Sequence, residues 1–184
     1  MKSSITSALL ISAAVYLSGC ASPARVDSMT VAGKPEQRIA ASPLRDNLAI
    51  KDVTGGKETN PMWKSNIGSP EFEAALESSL RAVGLLAPRQ GGRYTLTAHM
   101  ENVDQPFIGL SMTVTASVRY MVVERSTGKE IFNKVISVPY TASVSDAFLG
   151  VERLRLANEG AIRENISGLI DELFRMDIKN VSVN

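Results

Sequence analysis

The chain has 184 residues, 44% of them hydrophobic, and its 20 basic and 19 acidic side chains give a formal net charge of +1. This balance excludes the strongly basic field through which proteins attract nucleic acid, so no nucleic-acid partner is predicted. The length suffices for one domain with a hydrophobic core, and the single cysteine, Cys20, excludes a disulfide within the chain.

The N-terminus has the composition of an export signal. Lys2 precedes a mostly apolar run from Ile5 to Leu17, which is typical of a secretory signal peptide and is shorter than the ~20 apolar residues of a transmembrane helix. The run ends in Leu17-Ser18-Gly19-Cys20, which resembles the lipobox of bacterial lipoproteins. The resemblance implies cleavage before Cys20 and attachment of acyl chains, palmitate among them, to that cysteine. The alternative is an ordinary cleaved signal followed by an incidental cysteine.

The lipobox resemblance also implies a location. Ala21 rather than Asp follows the cysteine, and this pattern implies the outer membrane, with the protein lipid-anchored and facing the periplasm. We therefore expect a signal peptide over 1–19, a flexible linker from the lipidated Cys20 over 20–45, and a single α+β periplasmic domain over 46–184. A linker of this length could reach about 80 Å if fully extended.

The first half of the domain contains one strand and one helix. Apolar residues predict a short strand over 47–53, and the breakers Gly55-Gly56 and Asn60-Pro61 predict a loop over 54–68. Ser69-Pro70 then opens a helix, because Ser is a favourable N-cap and Pro is favoured at the first helical position.

The second half contains three strands and a long helix. From Tyr94 onward apolar residues alternate with polar ones, which predicts strands near 94–100, 112–122 and 136–144. Helical spacing predicts a final helix over 151–174, with Arg155 and Glu159 spaced for a solvent-facing ion pair. The predicted fold class is α+β: a four-stranded, mostly antiparallel sheet with two helices on one face, in the order β-α-β-β-β-α.

Motifs that carry catalysis or bind metals are weak in this sequence. His99 is the single histidine and falls on the polar side of its strand without an acidic cluster of ligand spacing. Ser126 and Lys129 match the Ser-x-x-Lys form of serine acyl enzymes but fall in a predicted turn rather than on a helix. Gly55-Gly56-Lys57 lacks the spacing of a phosphate-binding loop. We therefore predict no catalytic residue, no metal site and no cofactor.

Exposed apolar residues in loops indicate where the protein could bind a partner. If the first two strands are parallel, the loops that contain these residues all lie at one end of the sheet: Trp63, Phe107, Ile108, Phe148 and Leu149. We predict a protein-docking or lipid-contact surface there, pointing away from the anchoring leaflet. The alternative is structural, with these side chains closing the core and stapling the last helix.

The element order behind the lipobox resembles two groups of envelope proteins over roughly residues 46–175. One comprises small periplasmic lipoproteins similar to the N-terminal domain of TolB, and the other the auxiliary lipoproteins of ABC-type lipid transport systems. The resemblance implies a non-catalytic envelope component that binds another envelope protein. A lipid or small-ligand carrier subunit is the alternative, and a hydrolase centred on His99 is a third reading. No oligomeric state is predicted.

Overall fold

The computed structural model describes residues 21–60 and 64–176. Its strands are β1 (Leu48–Thr54), β2 (Tyr94–Asp104), β3 (Met112–Glu124) and β4 (Glu130–Ala142). Its helices are α1 (Val26–Met29), α2 (Pro35–Ile39), α3 (Ser69–Ala82) and α4 (Gly150–Arg175). The long helices α3 and α4 pack against the sheet, whereas α1 and α2 are short and precede β1.

The four strands form one sheet in the order β1-β2-β3-β4. β1 is parallel to β2 because α3 connects them, and the other two pairs are antiparallel. The turn between β3 and β4 depends on Gly128, whose φ of 71° lies in the left-handed region that glycine adopts without strain. The predicted α+β class and mostly antiparallel sheet are confirmed.

Alternate side chains of the strands build the core. Tyr94, Leu96, Ala98 and Met100 of β2 are buried against the helices, as the period of two predicted. The predicted apolar face of α4 is also buried, and its members are Leu154, Ala161, Ile162, Ile166, Leu169, Ile170 and Leu173.

Two local predictions differ from the structure. The N-cap of α3 is Gly68 rather than Ser69, and the Ser69 hydroxyl instead accepts a hydrogen bond from the Gly56 N–H at 2.9 Å. Arg155 does pair with Glu159, at 2.7 Å, but Glu159 is buried rather than solvent-facing. It is buried because a preceding segment of the chain covers that side of α4.

That covering segment is residues 21–45, and it differs from the predicted flexible linker. Met29 and Leu44 are fully buried in the core. The backbone N–H of Arg25 donates to Glu159 Oε1 at 2.9 Å, and the Val31 N–H donates to the Ser79 hydroxyl of α3 at 2.8 Å. We call residues 21–45 the strap, because the segment packs along both long helices. Its few apolar residues lack a regular period, so periodicity did not reveal it.

The strap runs along α4 between Glu159 and Asp171. Its contacts with α4 progress along the helix, from Arg25 with Glu159, through the Ser28 carbonyl with Arg163, to Lys34 with Asp171. The strap therefore begins near the end of the sheet where β2 and β4 finish, which we call the upper end. It enters β1 at the lower end.

A candidate binding surface at the upper end of the sheet

Two loops at the upper end expose large apolar side chains. The loop after β2, residues 105–111, contains Phe107, which is fully exposed, and Ile108, which is 85% exposed. The loop after β4, residues 143–149, contains Phe148, 85% exposed, and Leu149, 43% exposed. The prediction grouped these four residues with Trp63, which lies outside the described residues, as does Cys20. The exposure of Phe107, Ile108 and Phe148 is inconsistent with the alternative in which these side chains close the core.

Sequence reasoning missed one member of this surface. Leu110 lies in the same loop as Phe107 and is 79% exposed. The sequence did indicate that Leu110 belongs to the loop, because it directly follows Gly109 and precedes the alternating pattern of β3. We call the set Phe107, Ile108, Leu110, Phe148 and Leu149 the apolar end.

Arg153, in the first turns of α4, joins the two loops of the apolar end. Its Nη1 donates to the carbonyl oxygens of Ala147 at 2.8 Å and Phe148 at 2.6 Å, and its Nη2 donates to the Gly109 carbonyl at 3.0 Å. The side chain is 7% exposed, and its Nε has no hydrogen-bond partner among the described residues. One buried guanidinium thus fixes both loops beside each other, since its planar fork binds several carbonyls at once.

Asp146 shapes the second loop from within. Its carboxylate Oδ2 accepts hydrogen bonds from the Ser143 backbone N–H at 2.7 Å and from the Ser143 hydroxyl at 2.8 Å. Both bonds favour the ionised form, so they lower the pKa of the Asp146 carboxyl below its ordinary value. The turn that precedes Phe148 is therefore closed by a charged acceptor.

The start of the strap lies at this same end. The Ser65 hydroxyl donates to the Ser22 carbonyl at 2.7 Å, and the Ser65 carbonyl accepts from Asn158 at 2.9 Å and from Gln105 at 3.2 Å. Gln105 is the first residue of the loop that contains Phe107. The apolar end was predicted to point away from the anchoring leaflet, whereas the structure places Ser22, two residues after Cys20, beside Ser65 at the upper end of the sheet. The direction relative to a leaflet stays a prediction, although it was argued with residues 21–45 taken as a flexible linker.

The sheet face opposite the helices is uncovered and rich in hydroxyl groups. Thr113 pairs with Thr141, and Ser117 pairs with Ser137, each through a side-chain hydrogen bond of 2.8 Å. Val135, on the same face of β4, is 41% exposed. These pairs join β3 and β4 across the open face, where Arg119 lies opposite Val135.

His99 also lies on this open face and is exposed. Its Nδ1 forms a hydrogen bond of 2.8 Å with the Thr54 hydroxyl, and neighbouring Glu101 is paired with Arg119 at 2.7 Å. Within residues 21–60 and 64–176, no three His, Cys, Asp or Glu side chains come together as a metal site. Ser126 and Lys129 lie at the β3–β4 connection, away from any helix.

A carrier would need an apolar cavity, and two grooves of the described surface bear on this requirement. A groove of about 510 Å³ lies beside Ala21 and Pro23, but its other walls are mainly glycine, charged and hydroxyl residues. A smaller depression next to Gln105 is lined by Lys57 and Lys64 among other polar groups. Over the described part of the chain, no helix is both long and apolar enough to cross a membrane.

Comparisons with known proteins identify the fold. No protein-family model matches the sequence, and no curated protein matches it. A Xanthomonas campestris protein of the family DUF330 superposes with a TM-score of 0.57 at 12% identity, covering 74% of this chain and 88% of that one. A provisionally assigned lipoprotein from Caulobacter crescentus gives 0.49 at 14% identity, with 72% and 90% covered. A minor lipoprotein from Acinetobacter baumannii gives 0.46 at 9% identity, with 71% and 94% covered.

These likenesses concern architecture. At 12% identity, the superposition on the Xanthomonas protein shows a shared fold and does not transfer a function. None of these three structures is described as a TolB domain or as a transport subunit, so both resemblances stated from the sequence stay predictions. The chain is thus similar in fold to the DUF330 protein from Xanthomonas campestris.

Proposed function

We propose that the protein is a non-catalytic lipoprotein of the bacterial envelope, anchored through acyl chains on Cys20, that binds another envelope protein. The observation that carries this proposal is the hydrogen bond from the Ser65 hydroxyl to the Ser22 carbonyl. The folded domain therefore begins two residues after Cys20. An acyl anchor at Cys20 would place the domain directly on a membrane surface rather than at the end of a long tether.

The open sheet face is the surface that such an arrangement leaves for a protein partner. The apolar end faces the anchor, and α3, α4 and the strap cover the other face of the sheet. Between β3 and β4 the open face carries the Thr113–Thr141 and Ser117–Ser137 pairs. Arg119 lies on the same face opposite Val135, and its charge is paired with Glu101. Its exposed apolar residue, Val135, would lie near the centre of a contact.

Photocrosslinking in intact cells tests this proposal. A photoreactive amino acid at Val135 or Thr141, both on the open face, is compared with one at Phe107 in the apolar end. We expect Val135 and Thr141 to give adducts with one and the same envelope protein, and the Thr141 adduct to disappear when Val135→Glu is added. Mass spectrometry of the same protein should find acyl chains on Cys20.

Adducts that form from Phe107 and not from the open face would contradict the assignment of the partner surface. An unmodified Cys20 would contradict the anchor. The two tests are independent, because the crosslinking assay detects adducts whether or not Cys20 is acylated.

A further inference from the structure

We infer that the apolar end enters the membrane leaflet that contains the acyl chains on Cys20, so that the loops after β2 and β4 form a second, non-covalent membrane anchor. The inference rests on the proposed function in so far as it takes Cys20 to be acylated. Its surface is the set Phe107, Ile108, Leu110, Phe148 and Leu149, of which four side chains are at least 79% exposed.

Distance favours a membrane over a folded protein as the occupant of this surface. From Cys20 to Ser22 the chain spans at most about 7 Å. Ser22 is linked through Ser65 to Gln105, and Phe107 follows two residues later. A folded domain of 100 residues has a radius of gyration of about 13 Å, so it does not fit between this end and the headgroups of the anchoring leaflet.

The two loops are ordered before they meet a membrane. Arg153 binds the carbonyls of Ala147, Phe148 and Gly109, and Asp146 closes the turn at Ser143. Because the loops are already fixed side by side, membrane entry does not require them to lose much conformational entropy. The exposed side chains also protrude from loops and do not line a concave groove, as a peptide-binding site would require.

The charged side chains around the apolar end balance each other, so burial of its apolar side chains drives entry into the membrane. The acidic side chains in or next to the loops are Asp104, Asp146 and Glu152, and the basic ones are Arg153 and, near Gln105, Lys57 and Lys64. This mixture gives no net attraction to anionic lipid. Apolar side chains of interfacial segments enter about 5–10 Å into the headgroup and acyl boundary. We therefore expect entry into zwitterionic bilayers that changes little with salt.

Depth-dependent fluorescence quenching tests the inference on the full chain. The mature protein has no cysteine besides Cys20, so Phe107→Cys or Phe148→Cys gives one labelling site for a polarity-sensitive fluorophore. Ser126→Cys, in the hairpin turn at the lower end, is the matched control. The lipidated proteins are reconstituted into phosphatidylcholine vesicles that contain nitroxide-labelled acyl chains, and iodide is added as the aqueous quencher.

We expect labels at 107 and 148 to lose most of their emission to the acyl-chain nitroxides and to resist iodide. The label at 126 should respond only to iodide. Adding Phe107→Ser should reduce nitroxide quenching of the label at 148, because the two loops enter together.

Two results would overturn the inference. Labels at 107 and 148 that iodide quenches as strongly as the label at 126 would show that the apolar end stays in water. Shielding from both quenchers would show burial against a second copy of the chain instead. Mass spectrometry of the same samples tests the anchor separately. If Cys20 is unmodified, the labelled chains carrying Cys20→Ser and mixed with vesicles still report whether the apolar end enters the bilayer.

Discussion

Arg153 is a single residue on which the geometry of the apolar end depends. Three carbonyl oxygens from two loops accept from one buried guanidinium. Without that group, these carbonyls lose a charged hydrogen-bond donor at a site that water reaches poorly. This loss lowers the stability of the fold more than the loss of an exposed hydrogen bond does. The buried charge has no carboxylate partner among the described residues, so its stability depends on these carbonyls.

Replacement of Arg153 should therefore loosen both loops at once. For Arg153→Met we expect the free energy of unfolding to fall by about 2–4 kcal/mol, with faster amide hydrogen exchange in 105–111 and 143–149. Denaturant unfolding and exchange mass spectrometry measure the two effects. Arg175→Met is the matched control, because the Arg175 side chain is 71% exposed, and its effect should stay within about 0.5 kcal/mol. Unchanged exchange in either loop would contradict the bridging role.

Asp146 makes the loop before Phe148 sensitive to pH. Hydrogen bonds from Ser143 lower the pKa of the Asp146 carboxyl in the folded chain relative to the unfolded chain. Its ionised form therefore stabilises the fold at neutral pH, and this contribution is lost as the pH falls from the ordinary Asp pKa of about 4 through the lower folded value. We expect Asp146→Asn to lower the thermal midpoint at pH 7 and the difference from wild type to shrink in that acid range. An Asp52→Asn variant, on the exposed part of β1, controls for the loss of one charge. A difference that grows in acid would reverse the assigned direction.

Among the elements, the strap differs most from what its sequence suggests. The strap contains little regular secondary structure, yet Met29 and Leu44 are fully buried. Gly33 packs so closely on Val83 that a Cβ at Gly33 would lie 2.2 Å from Val83 Cγ1. The strap is therefore part of the core and not a spacer.

Substitution of Met29 distinguishes a packed strap from a flexible linker. Met29→Ala should lower the free energy of unfolding by about 2–4 kcal/mol, because it removes buried apolar contacts and leaves a cavity. Ile39→Ala in the same segment removes a side chain that is 86% exposed, and we expect a change within about 0.5 kcal/mol. Both are measured by denaturant unfolding. Equal, small effects would mean that the strap does not contribute to the fold in solution.

Sequence periodicity predicted the elements in which buried side chains recur at a regular spacing, and it missed the segments in which they do not. The alternation from Tyr94 and the helical spacing in α4 report one buried face, so β2 and α4 were predicted correctly. β4 spans Glu130–Ala142 and so begins before the predicted strand near 136–144. The strap contacts α3 and α4 largely through backbone groups and isolated side chains such as Met29, which leave no periodic trace.

The buried polar groups of α4 are a second set that the apolar pattern does not reveal. Asn165 is fully buried: it accepts from the Tyr120 hydroxyl at 2.8 Å and donates to the carbonyls of Ala116 at 2.9 Å and Ile136 at 2.7 Å. Burial raises the pKa of Tyr120. The position of Asn165 between Ile162 and Leu169 on the apolar face was the available signal, since a buried amide needs partners.

Part of the candidate site could be read from the sequence. Aromatic and branched side chains in loops with Gly and Pro are conspicuous. The antiparallel pairing of β3 with both β2 and β4 brings the loops after β2 and β4 to one end. The relation of that end to Cys20 could not be read, because it depends on the path of the strap. Arg153 was also missed, since an arginine in the first turns of a helix is ordinarily solvent-exposed.

At the scale of the whole molecule, the inferred membrane anchor and the path of the strap together predict one orientation of the protein on a bilayer. Both Ser22 and the apolar loops lie at the upper end, whereas the β3–β4 turn lies at the lower end. β3 has 13 residues, so at about 3.3 Å per residue the sheet extends roughly 40 Å between these ends. A flexible tether of 25 residues would leave this direction undetermined.

We therefore expect the lipidated protein to stand upright on a supported bilayer. Neutron reflectometry should show a protein layer roughly 40 Å thick, since the strands run from the membrane to the β3–β4 turn. The variant that combines Phe107→Ser with Phe148→Ser retains Cys20 and the strap but loses the aromatic side chains of the apolar end, and its layer should be thinner and more diffuse. A wild-type layer about half as thick would mean that the domain lies on its side, which would contradict the orientation. Equal layers for wild type and variant would mean that the acyl anchor and the strap alone determine it.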